Sequence, residues 1–171
     1  MNKKASNKNV YYPVFLNIRG KRCAVIGGGK VALRKVKRLL ECGADVTVIS
    51  PRPRLEITGL FAKRAIRLIQ REYKLQDLEK AAIVIACTDD KKLNRKVAGE
   101  AKKRKLLVNV ADDPESSDFI IPSSFRRGGL TVAVSTSGVS PALARKIRTK
   151  LQKSFGEEYA SLLSLVGEVR S

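Results

Sequence analysis

The sequence contains no histidine, and that absence removes more chemistry than any other feature. Imidazole acid/base catalysis, Ser-His-Asp and Cys-His sites and His-ligated metal centres are all excluded. Tryptophan is missing too, and aromatics make up only 5% of the 171 residues. A core must therefore be built from Val, Ile, Leu and Ala, and nucleic-acid bases would find few rings to stack on. Cysteine is scarce: Cys23, Cys42 and Cys87 lie far apart, with no CxxC spacing for a zinc knuckle or a dithiol redox pair. All three sit in apolar stretches and are expected to be buried, reduced thiols. No apolar run approaches the ~20 residues that span a bilayer, and the basic start at residues 1–9, read as a frayed tail, leads into no signal-type core. The expectation is a cytoplasmic protein with no membrane partner. Negative charge is also short. Sixteen Asp plus Glu face 35 Lys plus Arg, leaving +19. Such an excess points to an anionic partner and says nothing about fold.

What is present has a regular rhythm. Cys23-Ala24-Val25-Ile26 reads as a buried parallel strand running into Gly27-Gly28-Gly29. From Lys30 the period becomes helical. Ala32, Val36, Leu39 and Leu40 share one face, while Lys30, Arg34, Lys35, Lys37, Arg38 and Glu41 share the other, and Gly43 stops the helix. A second strand follows at residues 45–50, closed by Pro51-Arg52-Pro53-Arg54. Strand, glycine turn, helix and strand in about 30 residues make a βαβ unit. Helix 55–64, strand 66–69, strand 82–87, helix 91–104 and strand 106–110 continue the alternation. The prediction is an α/β chain with a Rossmann-type, doubly wound parallel sheet.

After Asp112-Asp113-Pro114 the texture changes. Phe119-Ile120-Ile121-Pro122 and residues 130–135 read as an antiparallel pair, joined through Arg126-Arg127-Gly128-Gly129. Ser140-Pro141 opens a helix lined by Ala142, Leu143, Ile147 and Leu151, and a short helix at about 157–169 ends the chain. The expected division is a nucleotide-binding domain at 1–114, a small β-rich dimerisation region at 115–150 and a C-terminal helical segment at 151–171.

Gly27-Gly28-Gly29-Lys30-Val31-Ala32 matches GxGxx[G/A], and its place between a strand and a helix gives the match meaning. Gly27 permits the tight turn, Gly29 lets a pyrophosphate approach the backbone, and Ala32 keeps the helix close to the sheet. An acid usually stands about 20 residues further on to hold the ribose. Here Ile49-Ser50-Pro51-Arg52 has none, and Arg52 and Arg54 are open both to a 2′-phosphate and to a role as plain surface charge. Asp89, Asp90, Asp112 and Asp113 all fall just past strand ends, where open α/β sheets bind ligands. Without histidine, a carboxylate is the strongest candidate for a general base. A turn or helix cap is the competing role for each.

These motifs, with Ala86-Cys87-Thr88-Asp89-Asp90, Asn109-Val110-Ala111-Asp112-Asp113-Pro114, Phe119-Ile120-Ile121-Pro122-Ser123 and the run from Ala133 to Ala144, resemble one family in this order over residues 12–155. It is that of the precorrin-2 dehydrogenases and the amino-terminal module of siroheme synthases. The resemblance implies oxidation of precorrin-2 to sirohydrochlorin, with NAD taking a hydride and a base or solvent taking a proton. It implies Asp112 as the catalytic acid/base and nucleotide contacts at Lys30, Val31, Pro51 and Arg52, to which Gly27, Gly28, Gly29, Ser50 and Thr88 are added as cofactor-binding candidates. It also implies a homodimer formed through the strands after 118. No metal ligands are assigned. Some relatives that also insert iron use a histidine, so insertion here would rest on Asp112 and the macrocycle's own nitrogens. The positive charge suits an acidic tetrapyrrole, and Arg126, Arg127, Arg145, Lys146 and Arg148 lie near the site in sequence.

Two other classes share parts of the pattern. A regulatory nucleotide-binding module needs the βαβ start without Asp112 or the Ser-Pro helix. A nucleic-acid binder would explain the charge, but few aromatics and no recognised binding motif speak against it. No nucleic-acid partner is expected.

Overall fold

The computed structural model describes residues 10–169, so the tail expected at 1–9 lies outside the described residues. The described chain forms two compact units, one of Pro13–Phe119 and one that joins residues 10–12 to the chain from Ile120 onward.

In the first unit, strands β1 (Arg22–Ile26), β2 (Asp45–Ile49), β3 (Arg67–Ile69), β4 (Ile83–Ala86) and β5 (Leu107–Val110) form one sheet in the order β3-β2-β1-β4-β5. Every pairing is parallel, with Cys23 beside both Val46 and Ile83, and Ile83 beside Leu107. Helix α1 (Lys30–Glu41) connects β1 to β2, α2 (Leu55–Ala62) connects β2 to β3, and α3 (Lys91–Lys103) connects β4 to β5. This is the doubly wound Rossmann-type sheet expected from the alternation.

Strand pleating divides the core in two. Cys23, Val25, Val46, Val48, Ile83 and Ile85 meet Ala32, Val36 and Leu39 of α1 and Ile57 of α2. On the opposite face Ala24, Ile26, Val84, Ala86, Val108 and Val110 meet Val97, Ala98 and Ala101 of α3, with Leu78. Strands apolar on both faces are what a helix-covered parallel sheet requires. Gly43 ends α1 with φ +74°, and its N–H donates to the Leu40 carbonyl at 2.9 Å. Cys23 and Cys87 are buried as expected, but Cys42 is exposed. Cys42 is the C-cap residue of α1, where the chain leaves the helix, and its thiol is reached by solvent.

The second unit holds hairpin β6 (Ser123–Arg127) and β7 (Leu130–Val134), then α4 (Pro141–Ser154) and α5 (Glu158–Val169). The antiparallel pair was expected one segment earlier, at Phe119–Pro122. Arg127 pairs with Leu130, so the loop is only Gly128-Gly129 and the first strand runs back from it to Ser123. Polar Ser123, Ser124, Arg126 and Arg127 hid that strand, in which Phe125 alone is buried. Gly128 has φ +53°, and a Cβ there would lie 2.9 Å from the Ala160 Cβ, so α5 packs directly on the turn. Ser140 caps α4 as anticipated, its Oγ accepting from the Leu143 N–H at 3.2 Å. The apolar side expected for α4 is not covered by its own unit: Leu143 and Ile147 are exposed, and Ala144 is buried instead.

Asp90 caps α3 by accepting from the N–H groups of Lys92 and Leu93 at 2.8 and 3.1 Å. Asp90→Ala should lower stability by about 1 kcal/mol, in line with other lost N-caps. Urea unfolding that shows no shift of the midpoint would contradict this role.

Candidate active site

The strand order reverses between β1 and β4, and the crevice of such a sheet opens beyond the strand ends at that point. Gly27 follows β1 with φ +128°, and a Cβ there would meet the Cys87 carbonyl oxygen at 2.6 Å. Gly28 is hemmed in by the Ser50 hydroxyl and by Pro53, whose Cα would lie 2.7 Å from an added Cβ. Gly29 differs: a Cβ there meets nothing within 4 Å. It caps α1 without a side-chain hydrogen bond, and the first turn of α1 contains no acid. The result is a backbone cradle at a helix N-terminus, open above Gly29 and favourable to phosphate oxygens. The open space lies above Gly29, while Gly27 and Gly28 are closed in by the ends of β4 and β2. Ala32, fully buried, holds α1 against the sheet.

The remaining cofactor candidates surround the cradle unevenly. Lys30 is exposed and Val31 half-buried in the first turn of α1. Ser50 is buried at the end of β2, and its N–H donates to the Ile69 carbonyl at 3.1 Å. The loop then passes through exposed Pro51 and Arg52 and returns to the glycine turn, where the Arg54 N–H donates to the Gly28 carbonyl at 3.0 Å. Arg54 is engaged by Glu56, at 3.2 Å through both Nε and Nη2. Thr88 is turned into its own loop, where its hydroxyl donates to Asn94 Oδ1 at 2.7 Å. Buried Asn94 also accepts from the Thr88 N–H and donates to the Thr88 carbonyl, fixing the link from β4 to α3.

The four crevice-side aspartates separate clearly. Asp90 caps α3. Asp113 accepts from the Ser116 hydroxyl and N–H at 2.8 and 3.2 Å and pairs with Arg95 at 3.5 Å. These contacts hold its carboxyl below the usual carboxylate range, the Ser116 hydroxyl first among them. Asp89 and Asp112 are exposed, and among the described residues neither side chain accepts a hydrogen bond. Asp112 also adopts φ +59°, a left-handed conformation that few non-glycine residues take and that recurs at functional sites. The turn around it is tied down by Ala111 N–H to the Ala86 carbonyl at 2.8 Å.

Lys35 emerges as a residue the periodicity misplaced. Expected on the solvent face of α1, it is half-buried, and its Nζ donates to Asn109 Oδ1 at 3.2 Å. Asn109 is buried in β5 and donates onward to the Phe119 carbonyl at 2.9 Å. Burial pushes the Lys35 amine below its ordinary value, and neighbouring Arg34 adds to this, while the fields of Cys87 and Asp112 oppose it. Asn109 was the available signal, since a polar side chain inside a central apolar segment needs a partner. Burial pushes the Cys87 thiol up to about 12, so it is not a nucleophile.

Two glycine variants separate fold from cradle. Gly27→Ala should destabilise the unit, because its Cβ would collide with the Cys87 carbonyl. Gly29→Val should lower the melting temperature by only about 2–4 °C, the cost of a β-branched residue at the α1 N-cap, and abolish dinucleotide binding, because it fills the open space above the turn. A folded Gly29→Val protein with undiminished affinity would remove the pyrophosphate from this turn.

Comparison with known proteins agrees with this geometry. Residues 14–123 match the NAD(P)-binding family model, and residues 127–154 match that of the sirohaem biosynthesis protein central region. The second match covers a region that the regulatory-module alternative does not need. The siroheme synthase of Methylobacillus flagellatus is 40% identical over 158 residues, covering 92% of this chain and 34% of that protein. The siroheme synthase of Nitrosococcus oceani is 42% identical over 161 residues, covering 94% of this chain and 34% of that protein. The chain therefore spans about a third of the length of these relatives. The solved structure of SirC, a precorrin-2 dehydrogenase, superposes with a TM-score of 0.80 at 32% identity, covering 94% of this chain and 79% of SirC. With its parallel sheet, glycine cradle and hairpin unit, the chain belongs to the precorrin-2 dehydrogenase family.

Proposed function

We propose that this chain catalyses the NAD-dependent dehydrogenation of precorrin-2 to sirohydrochlorin, acting as a cytoplasmic homodimer. The observation that carries the reading is the uncommitted Asp112 carboxylate at the strand-end crevice that also bears the glycine cradle. The cradle binds the pyrophosphate and α1 supplies its N–H groups, while the 50–52 loop flanks the adenosine end. Bound NAD supplies the hydride acceptor. Removing a hydride from carbon leaves a proton to be lost, and Asp112 takes it at its carboxylate oxygen. The Ala111–Ala86 hydrogen bond and the Ser116 clamp on Asp113 hold Asp112 in place on either side. The net charge of +19 favours encounter with a polycarboxylate macrocycle. Insertion of iron as a second substrate would use the same carboxylate and the macrocycle's nitrogens. Free cysteines suit a reducing compartment, and among the described residues no helix is long and apolar enough to cross a membrane.

The dimer is supported by the thin core of the second unit. Among the described residues its buried hydrophobic side chains are Phe125 and Ala144, with Phe155 and Tyr159 stacked edge to face at 5.0 Å beside Phe125. Val139, Leu143, Ile147, Leu162, Leu163, Leu165 and Val166 remain exposed. A hairpin and two helices with so small an interior need cover from elsewhere. Sedimentation equilibrium should give twice the chain mass at micromolar concentration, and a monomer there would overturn the dimer.

Asp112→Asn should reduce kcat for sirohydrochlorin formation by ~10²–10⁴-fold, the usual contribution of general-base catalysis. NAD affinity should change little, because the cradle is backbone. Near-parental turnover would defeat the role of Asp112, and loss of both turnover and nucleotide binding would make it structural. The same assay with ferrous iron present reads metal insertion.

A further inference from the structure

A half-buried charge is ordinarily matched by an opposite charge or by a full set of hydrogen bonds. The Lys35 ammonium has neither. Among the described residues it makes one hydrogen bond, to Asn109 Oδ1 at 3.2 Å, and no ion pair, so two of its three N–H donors are unspent. Its acceptor is a neutral amide, itself fixed by donation to the Phe119 carbonyl at 2.9 Å. Lys35 lies about 8 Å along the axis of α1 from Lys30, where the helix starts. Side chains on a helix lean toward its N-terminus, and α1 begins at the glycine turn, so the amine is carried back toward the crevice. Asn109 stands opposite Ile85, one pair short of the last pair of β4 and β5, Ala86 with Val110. The ammonium is therefore held just below the strand ends that lead into the Asp112 turn.

The charged and titratable groups around it come from three elements: Arg34 on α1, the Cys87 thiol after β4 and Asp112 after β5. Arg34 is a like charge, and Cys87 is protonated, its thiol raised to about 12 by burial. Asp112 is the one carboxylate whose field reaches Lys35, and the two form no ion pair. An anchored ammonium with two free donors at the edge of the crevice is suited to a carboxylate brought in by the substrate.

We propose that Lys35 is a specificity-determining residue for the dehydrogenation, its ammonium donating to a carboxylate of the tetrapyrrole and so placing the macrocycle beside Asp112. The assignment rests on the reading of the Asp112 crevice given above. Asn109 is the positioning residue that holds the amine in place.

The test is steady-state oxidation of precorrin-2 by the full chain with NAD, followed across pH for the parent, Lys35→Gln and Lys35→Arg. Lys35→Gln keeps a donor for Asn109 and loses the charge. It should raise KM for precorrin-2 by ~10–100-fold, the worth of a charge-assisted contact, and leave NAD affinity by calorimetry within about twofold. Lys35→Arg keeps the charge and should hold KM within about fivefold of the parent. The pH dependence gives a readout that a merely structural role would not move. Burial, with Arg34 beside it, holds the Lys35 amine below the ordinary lysine range, so the parent should lose kcat/KM on the alkaline side before that range is reached. A guanidinium stays charged there, so Lys35→Arg should keep kcat/KM to higher pH. An unchanged KM in Lys35→Gln would overturn this inference alone, as would an alkaline limb shared by the parent and Lys35→Arg. Loss of NAD affinity in step with the rise in KM would also overturn it, by making Lys35 a support of α1. If Lys35→Gln fails to fold, the pH comparison with Lys35→Arg decides alone. Failure of the parent to oxidise precorrin-2 would overturn the proposed function and this inference with it.

Discussion

A side chain at Gly27 would sit 2.6 Å from the carbonyl oxygen of Cys87, so the ends of β1 and β4 meet only through a glycine. The rest of the site is arranged around that close approach. It lets the chain turn within three residues from the innermost strand into α1. The helix therefore begins at the crevice, with its N–H groups facing the opening. The second close contact, Gly28 against Ser50 and Pro53, brings the end of β2 to the same place. Three strand ends thus converge on one backbone turn. The open side above Gly29 is the space they leave.

The Asp112 side of the crevice depends on how the edge strand β5 is finished. Among the described residues its outer edge carries no further strand, and an open edge invites pairing with other chains. Here the returning chain supplies the missing partners. The Val108 N–H donates to Asp118 Oδ2 at 3.0 Å, the Asp118 N–H donates to the Val108 carbonyl at 2.8 Å, and the Val110 N–H donates to Ser117 Oγ at 2.9 Å. The loop bearing Asp112 is consequently closed at its base by two side chains acting as a surrogate strand. Lys35 and Asn109 extend the network from α1 to Phe119, so α1 and the end of β5 are tied together by side-chain hydrogen bonds.

The second unit follows a different rule. Its hairpin turn is pressed against Ala160, and Arg127 is shared between Glu157 at 3.2 Å and the Phe125 ring at 5.9 Å. These contacts order a small cluster around Phe125 and leave most apolar side chains of α4 and α5 outward. Periodicity locates both helices correctly, since it reports which residues share a face. What covers that face is a separate matter.

The order of elements in the Rossmann-type sheet was legible from the sequence because its signals are local. They are the apolar strands, the 3.6-residue period of α1 and α3, the glycine stop at Gly43 and the Ser-Pro start of α4. The glycine turn was legible for the same reason, and Asp112 could be singled out only through the family motif around it. Tertiary structure decided everything that depends on a distant partner. Asn109, 74 residues away, turned Lys35 from a surface cation into a half-buried donor. Glu56 engaged Arg54, whose role the sequence left open. Pairing with β7 moved the first hairpin strand onto a polar stretch that no apolar pattern could reveal. The sequence determined where each element lies, because backbone preference and face periodicity act within a few residues. Only the folded chain decided which charges are spent, because a hydrogen-bond partner is chosen by proximity in space.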